Sequence, residues 1–164
     1  MKKQLFVLIL VCMGLLPLGA ATVSVLVIES GLPPGIGCTP SAEVWESGMM
    51  DVFFDAGHIV SNAPCQQIPA LVYEVSGTLP LNAGSEFDEA RLGGSDFFVL
   101  VLLNYRGDTG ESPKDVFIRV FRVSSGELLY ETKVAGKTWG NIDEEFLDAK
   151  TNAGKVIPQL ARKG

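Results

Sequence analysis

Apolar positions along the chain fall into unbroken runs, runs at helical spacing, and one clean alternation. Thr22 to Glu29, "TVSVLVIE", is aliphatic on both alternating sets, and Asp96 to Tyr105, "DFFVLVLLNY", is the most apolar stretch beyond the amino terminus. Strands covered on both faces read this way. Between them, Trp45, Met49, Val52, Phe53 and Ala56 recur at helical spacing. They predict a helix from about Pro40 to Ala56, with Thr39 as N-cap, Pro40 in the first turn and Gly57 as the stop. "HIVSNA", His58 to Ala63, follows as a short second strand.

Pro64 to Gly84 holds Pro64, Pro69 and Pro80 around "ALVYEV" and reads as an ordered excursion. Ser85 with Asp88 three residues on forms a capping-box pattern for a short helix that Gly93 closes. "DVFIRVFRV", Asp115 to Val123, is apolar on both sets apart from its arginines, whereas "ELLYETKV", Glu127 to Val134, alternates with Leu128, Tyr130, Thr132 and Val134 on one side. Ser124, Ser125 and Gly126 join them as a hairpin with glycine in the left-handed position, and the half-polar second strand belongs at a sheet edge. Asn141 and Glu144 box the start of a last helix whose stripe is Phe146, Ala149, Ala153, Val156, Ile157 and Leu160. Asp143, Glu144 and Glu145 at its start and Arg162 with Lys163 beyond its end suit the helix dipole.

The order β-α-β-α-β-β-β-α predicts an α/β protein with one mixed sheet between helical layers, because parallel strands need crossovers of fixed hand. The amino terminus changes the length to be folded. Lys2 and Lys3 precede "LFVLILVCMGLLPL" and the small residues "GAA", the pattern of a secretory signal spanning residues 1–21, with cleavage after Ala20 or Ala21. A lipid anchor on Cys12 is disfavoured because Val11 is too bulky for the position before such a cysteine. The remaining 143 residues, 22–164, suit one domain. The apolar run is shorter than a bilayer span and none follows it, so no stable membrane insertion is expected after signal removal. Loss of the two lysines takes the formal charge from −6 to −8, which argues against nucleic acid and anionic lipid as partners.

The strand entry "GGSDFFVLVLL", the hairpin "FRVSSGELLYETKVAGKTW" and the element order resemble the TolB amino-terminal domain and the related CsgG-type and penicillin-binding-protein-activator domains of bacterial envelopes. Gly126, Glu127 and Tyr130 take the hairpin positions of the resemblance. It implies a three-layer α/β/α sandwich on a five-stranded mixed sheet of order 2-1-3-4-5, without catalysis, serving as an interaction or accessory module with a protein partner in the periplasm. Unlike in those families, neither a propeller after the domain nor membrane-spanning hairpins are expected in this sequence.

In that order the loops leaving the first two strands emerge together, which brings Cys38 near Cys65 in a compartment where disulfides persist. The glycines of "SGLPPGIGCTPS" do not make a phosphate cradle: the stretch has no lysine, and Pro33, Pro34 and Pro40 remove backbone donors. His58 with Asp51 and Asp55 has metal-like spacing but lacks the ligand density of a real site, and no G-x-S-x-G elbow is present. No cofactor, metal or enzymatic activity is expected. Met50 and Phe54, on the second face of the first helix, are covered by the same chain or form a partner surface, as does the edge carrying Glu127 and Tyr130. Sheets of this winding hold ligands where the winding reverses, so Glu29, Ser30, Asn104, Tyr105 and Arg106 outline a crevice for the alternative reading, a small-molecule binding protein.

Overall fold

A computed structural model describes residues 19–33, 35, 37–68, 83–105 and 112–161. The elements are β1 (Thr22–Ser30), α1 (Pro40–Asp55), β2 (Ile59–Asn62), β3 (Gln66–Ile68), α2 (Ala83–Leu92), β4 (Phe97–Asn104), β5 (Asp115–Arg122), β6 (Leu128–Ala135) and α3 (Ile142–Leu160). The signal segment through residue 18, most of the excursion after Pro64, Arg106, and Arg162 with Lys163 lie outside the described residues.

The sheet runs β2-β1-β4-β5-β6, with β3 also on β1. β1 is parallel to β2, β3 and β4, while β4-β5 and β5-β6 are antiparallel. This is the expected mixed sheet, with the second strand broken in two. β2 pairs with Thr22–Val25 and β3 with Ile28–Ser30, and the break falls at Pro64, which has no N–H for a ladder.

The unbroken apolar runs of β1 and β4 serve two cores. Val23, Val25, Val27, Phe97, Val99, Val101 and Leu103 face Trp45, Met49 and Phe53 of α1 and Ala149, Ala153, Val156 and Leu160 of α3. Leu26, Ile28, Phe98, Leu100 and Leu102 point the other way, toward Ala90 and Phe87 of α2. Two helices on one face and one on the other make the three layers.

Helix ends carry most of the local differences from expectation. α1 stops as predicted, with Gly57 at φ 86 while Gly57 N–H and His58 N–H reach Phe54 O at 2.8 Å and Phe53 O at 3.1 Å. Its buried face is turned: Ser41, Val44 and Gly48 are buried and Ala56 is exposed. α2 begins at Ala83, so Ser85 lies inside it rather than capping it, and the left-handed residue after it is Gly94, not Gly93. α3 has the expected cap, Glu144 N–H donating to Asn141 Oδ1 at 2.9 Å. On its stripe Glu145 is buried where Phe146 was expected, and Phe146 is only half-buried. In β6, Leu129 has no partner between Tyr130, opposite Val120, and Leu128, opposite Phe121. That bulge breaks the predicted alternation and leaves Leu128 exposed.

Gly48 is where α1 and α3 touch. A Cβ there would lie 2.7 Å from Ala149 Cβ and 3.4 Å from the Lys150 backbone nitrogen. Gly48→Ala should therefore destabilise by about 1–3 kcal/mol despite alanine's better helix propensity, as overpacking does. Chemical denaturation of the single variant and of Gly48→Ala with Ala149→Gly should show recovery in the double. A fully stable single variant would place the helices further apart.

Candidate functional site

β1 and β4 deliver their carboxyl ends, β6 its last residues, and α1 and α3 their amino ends to one rim of the sheet. At its centre Glu29 ends an otherwise apolar strand and is fully buried. A lone buried carboxylate is costly unless it is well supplied with donors. Here Thr39 N–H donates to both oxygens at 3.2 and 3.1 Å, and the Thr39 hydroxyl donates to Oε1. Tyr105 hydroxyl donates at 3.1 Å and Gln67 Nε2 at 3.3 Å. The Thr39 side chain is thus spent on Glu29 instead of capping α1, and the carboxylate supplies negative charge at that helix start.

The glycines of the β1–α1 loop now have a structural reason. Gly31, Gly35 and Gly37 have φ of 84, 87 and 76°, conformations that let the loop double back across β3. Gly31 N–H reaches Ile68 O at 3.3 Å, and Gln67 Nε2 donates to Gly37 O. Cys38 and Cys65 are joined by a disulfide with Cα atoms 6.4 Å apart, tying this loop to the break between β2 and β3. Glu29 and the two sulfurs gather closely enough to hold a metal, but both sulfurs are committed to each other.

The four crevice residues that are described therefore meet inside the protein, and Arg106 lies outside the described residues. Glu29, Ser30 and Tyr105 are fully buried and Asn104 nearly so. Among the described residues Ser30 Oγ has no hydrogen-bond partner, and Tyr105 N–H donates to Ser30 O at 2.9 Å. Burial, with smaller help from the Glu29 charge, raises the Tyr105 phenol well above its ordinary value of 10.0. Its folded value exceeds its unfolded one, so the stability it confers is present below pH 10.0 and is lost as pH rises beyond it.

Beside this plug lies an open cavity of about 380 Å³ between the starts of α1 and α3, lined by Ser41, Ser112, Trp139, Asn141, Ile142 and Glu145 among others. Glu145 is its acidic wall. It accepts Ser41 Oγ at 3.1 Å and Trp45 Nε1 at 3.0 Å, pinning α3 to α1, and Trp45 meets Trp139 edge-on at 6.3 Å. Desolvation raises the Glu145 carboxyl above the usual value, against the lowering pull of Ser41 and Trp45. A raised carboxyl binds its proton more readily in the folded state, so stability recovers as pH falls from neutral toward 4.5. Wild type should gain melting temperature relative to Glu145→Gln over that interval. Parallel curves for the two proteins would contradict this assignment.

Thr39 as N-cap and Glu145 as a first-turn acid stand where the sequence puts them, but the partners of their side chains are not readable from it. The burial of Glu145 could have been found from spacing, since it lies four residues before Ala149 and on the buried stripe. His58 forms no cluster with Asp51 and Asp55. Its Nδ1 accepts Ala21 N–H at 3.3 Å, burial lowers its pKa, and Asp51 pairs with Lys150.

The expected partner surfaces divide. Met50 is half-buried against the core, whereas Phe54 is 71 % exposed, with Ile59 of the β2 edge 62 % exposed five residues on. Glu127 is exposed at the hairpin, 3.9 Å from Arg122, and Tyr130 is half-buried against the core. No helix among the described residues is long and apolar enough to cross a membrane.

No protein-family model matches the sequence, and no curated protein does. Several solved structures are similar to it. A PelC L103M dodecamer from Paraburkholderia phytofirmans is 16% identical with a TM-score of 0.47, covering 86% of this chain and 89% of that one. Lipoprotein GNA1162 from Neisseria meningitidis is 13% identical with a TM-score of 0.46, over 84% of this chain and 99% of that one. TolB from Acinetobacter baumannii is 12% identical with a TM-score of 0.46, covering 84% of this chain and 28% of that one. TolB, which the hairpin and strand order resemble in sequence, is thus among the structures this chain is similar to.

Proposed function

We propose that the chain is an exported, non-enzymatic interaction module of the bacterial cell envelope, acting in the periplasm after loss of residues 1–21 and binding a protein partner through the end of α1 and the β2 edge. The observation that carries this reading is the pair of large apolar side chains left in water there, Phe54 and Ile59. They flank the turn from α1 into β2, Phe54 on the helix and Ile59 on the sheet face away from it, and exposed large apolar side chains are where proteins bind each other. The covered strand ends support the reading, because Glu29, Ser30 and Tyr105 of the expected ligand crevice are buried.

Phe54→Ser with Ile59→Thr should abolish photo-cross-links formed from position 55 in the native envelope while leaving the melting temperature unchanged. Met50 is left intact because it packs on the core. Cross-links that survive the double variant, or none in wild type, would overturn the proposal. Amino-terminal sequencing of the exported protein should begin at Ala21 or Thr22.

A second reading rests on the cavity walled by Glu145 and Trp139, which is of a size that takes a small molecule. Native mass spectrometry of protein purified from the envelope separates the two: a stoichiometric small-molecule adduct would favour the second.

A further inference from the structure

We propose that β6 pairs with β6 of a second copy of this chain, making an antiparallel dimer centred on Thr132. This goes beyond the partner reading and uses the opposite edge of the sheet. β6 ends the strand order, and among the described residues nothing pairs with its outer side. The bulge at Leu129 leaves Tyr130 to Ala135 as a regular stretch, opposite Val120 to Asp115 without a shift. An edge of this kind offers a row of backbone donors and acceptors to an added strand.

The side chains select both the occupant and the register. In an antiparallel pair, residues directly opposite point to the same face. Pairing about Thr132 sets Glu131 against the second copy's Lys133, and Lys133 against its Glu131. It also sets half-buried Tyr130 against half-buried Val134 on the core side. Centring one residue earlier would oppose Glu131 to Glu131, and one residue later Lys133 to Lys133. Only the Thr132 centre pairs opposite charges.

The same row is already charged within the chain. Arg119 pairs with Glu131, and Lys133 Nζ lies 2.9 Å from Asp115. Adding the second copy extends this to Arg119, Glu131, then the second copy's Lys133 and Asp115, with signs alternating throughout. Glu131 and Lys133 remain about half exposed in the single chain, so each can take a second neighbour. A lysine on an edge strand ordinarily discourages pairing. Here its neighbour two residues away neutralises it in one register only.

Sedimentation equilibrium of the mature protein over a wide concentration range should show a monomer–dimer equilibrium that weakens with added salt. Glu131→Lys and Lys133→Glu should each weaken it roughly tenfold or more, since each replaces two attractive contacts by two repulsive ones. The double swap should restore it. Because Glu131→Lys also disturbs Arg119, a second arm uses Thr132→Cys with a short bis-maleimide. It should give a covalent dimer, whereas exposed Ser47→Cys should not. Wild type that stays monomeric, dimerisation indifferent to either charge reversal, or equal cross-linking from positions 132 and 47 would each overturn the proposal.

Discussion

Glu29→Ala is expected to cost several kcal/mol of folding stability, at about 1–3 kcal/mol for each buried donor left without its acceptor. The size follows from what is left behind. Thr39 N–H, the Thr39 and Tyr105 hydroxyls and Gln67 Nε2 all donate to this carboxylate. Without it the Thr39 N–H loses its acceptor, the Thr39 and Tyr105 hydroxyls can satisfy only one hydrogen between them, and Gln67 keeps Gly37 O; each orphaned group costs about 1–3 kcal/mol unless water enters. The start of α1 loses its negative charge as well. Glu29→Gln keeps the shape but points an NH₂ at one of these donors, so it should lose less than alanine and more than a surface substitution. Urea denaturation of the three proteins checks the order wild type, Gln, Ala. An alanine variant within about 0.5 kcal/mol of wild type, the usual range for surface changes, would mean the carboxylate is solvated.

Breaking the Cys38–Cys65 bridge should cost a similar amount. The cross-link spans 27 residues, for which the chain-entropy relation gives roughly 3–4 kcal/mol. The bridged segment contains α1 and β2, so opening it frees the loop that covers Glu29 as well as the unfolded chain. Cys38→Ser with Cys65→Ser should therefore unfold at lower denaturant and show tyrosine ionisation at lower pH, as Tyr105 gains access to water. The two losses should not add, because the bridge and the carboxylate hold the same loop against the same rim. A double variant that is as stable as wild type would leave the bridge without a structural role.

The parts of this architecture that were legible in the sequence are those set by side-chain period. β1 and β4 declared themselves as two-faced strands, and Gly57 marked the end of α1 by the backbone geometry only glycine adopts without strain. The hairpin was readable from Gly126, which has φ 70°. Less legible were features that depend on what lies across the fold. Thr39 is the N-cap residue as the sequence suggests, but its hydroxyl goes to Glu29 ten residues earlier instead of to the helix. Glu145 looked like one of three acids serving the helix dipole, yet it faces Ser41 and Trp45 across 104 and 100 residues. Glu29, Ser30, Asn104 and Tyr105, four of the residues that outline the expected crevice, are buried at the strand ends. Topology fixes where strand ends meet, but only the packed loop shows that they are covered. The bulge in β6 was invisible because both Leu128 and Leu129 are apolar, so either could have faced inward.

The carboxyl ends of β1 and β4 are covered by the Glu29 network under a stapled loop. Native-state hydrogen exchange at the Thr39 amide tests this most directly. That N–H should exchange as slowly as those of β1 and β4 in the oxidised protein, and speed up once the disulfide is reduced. Exchange at Thr39 as fast as in an exposed loop, with β1 and β4 still protected, would contradict that covering.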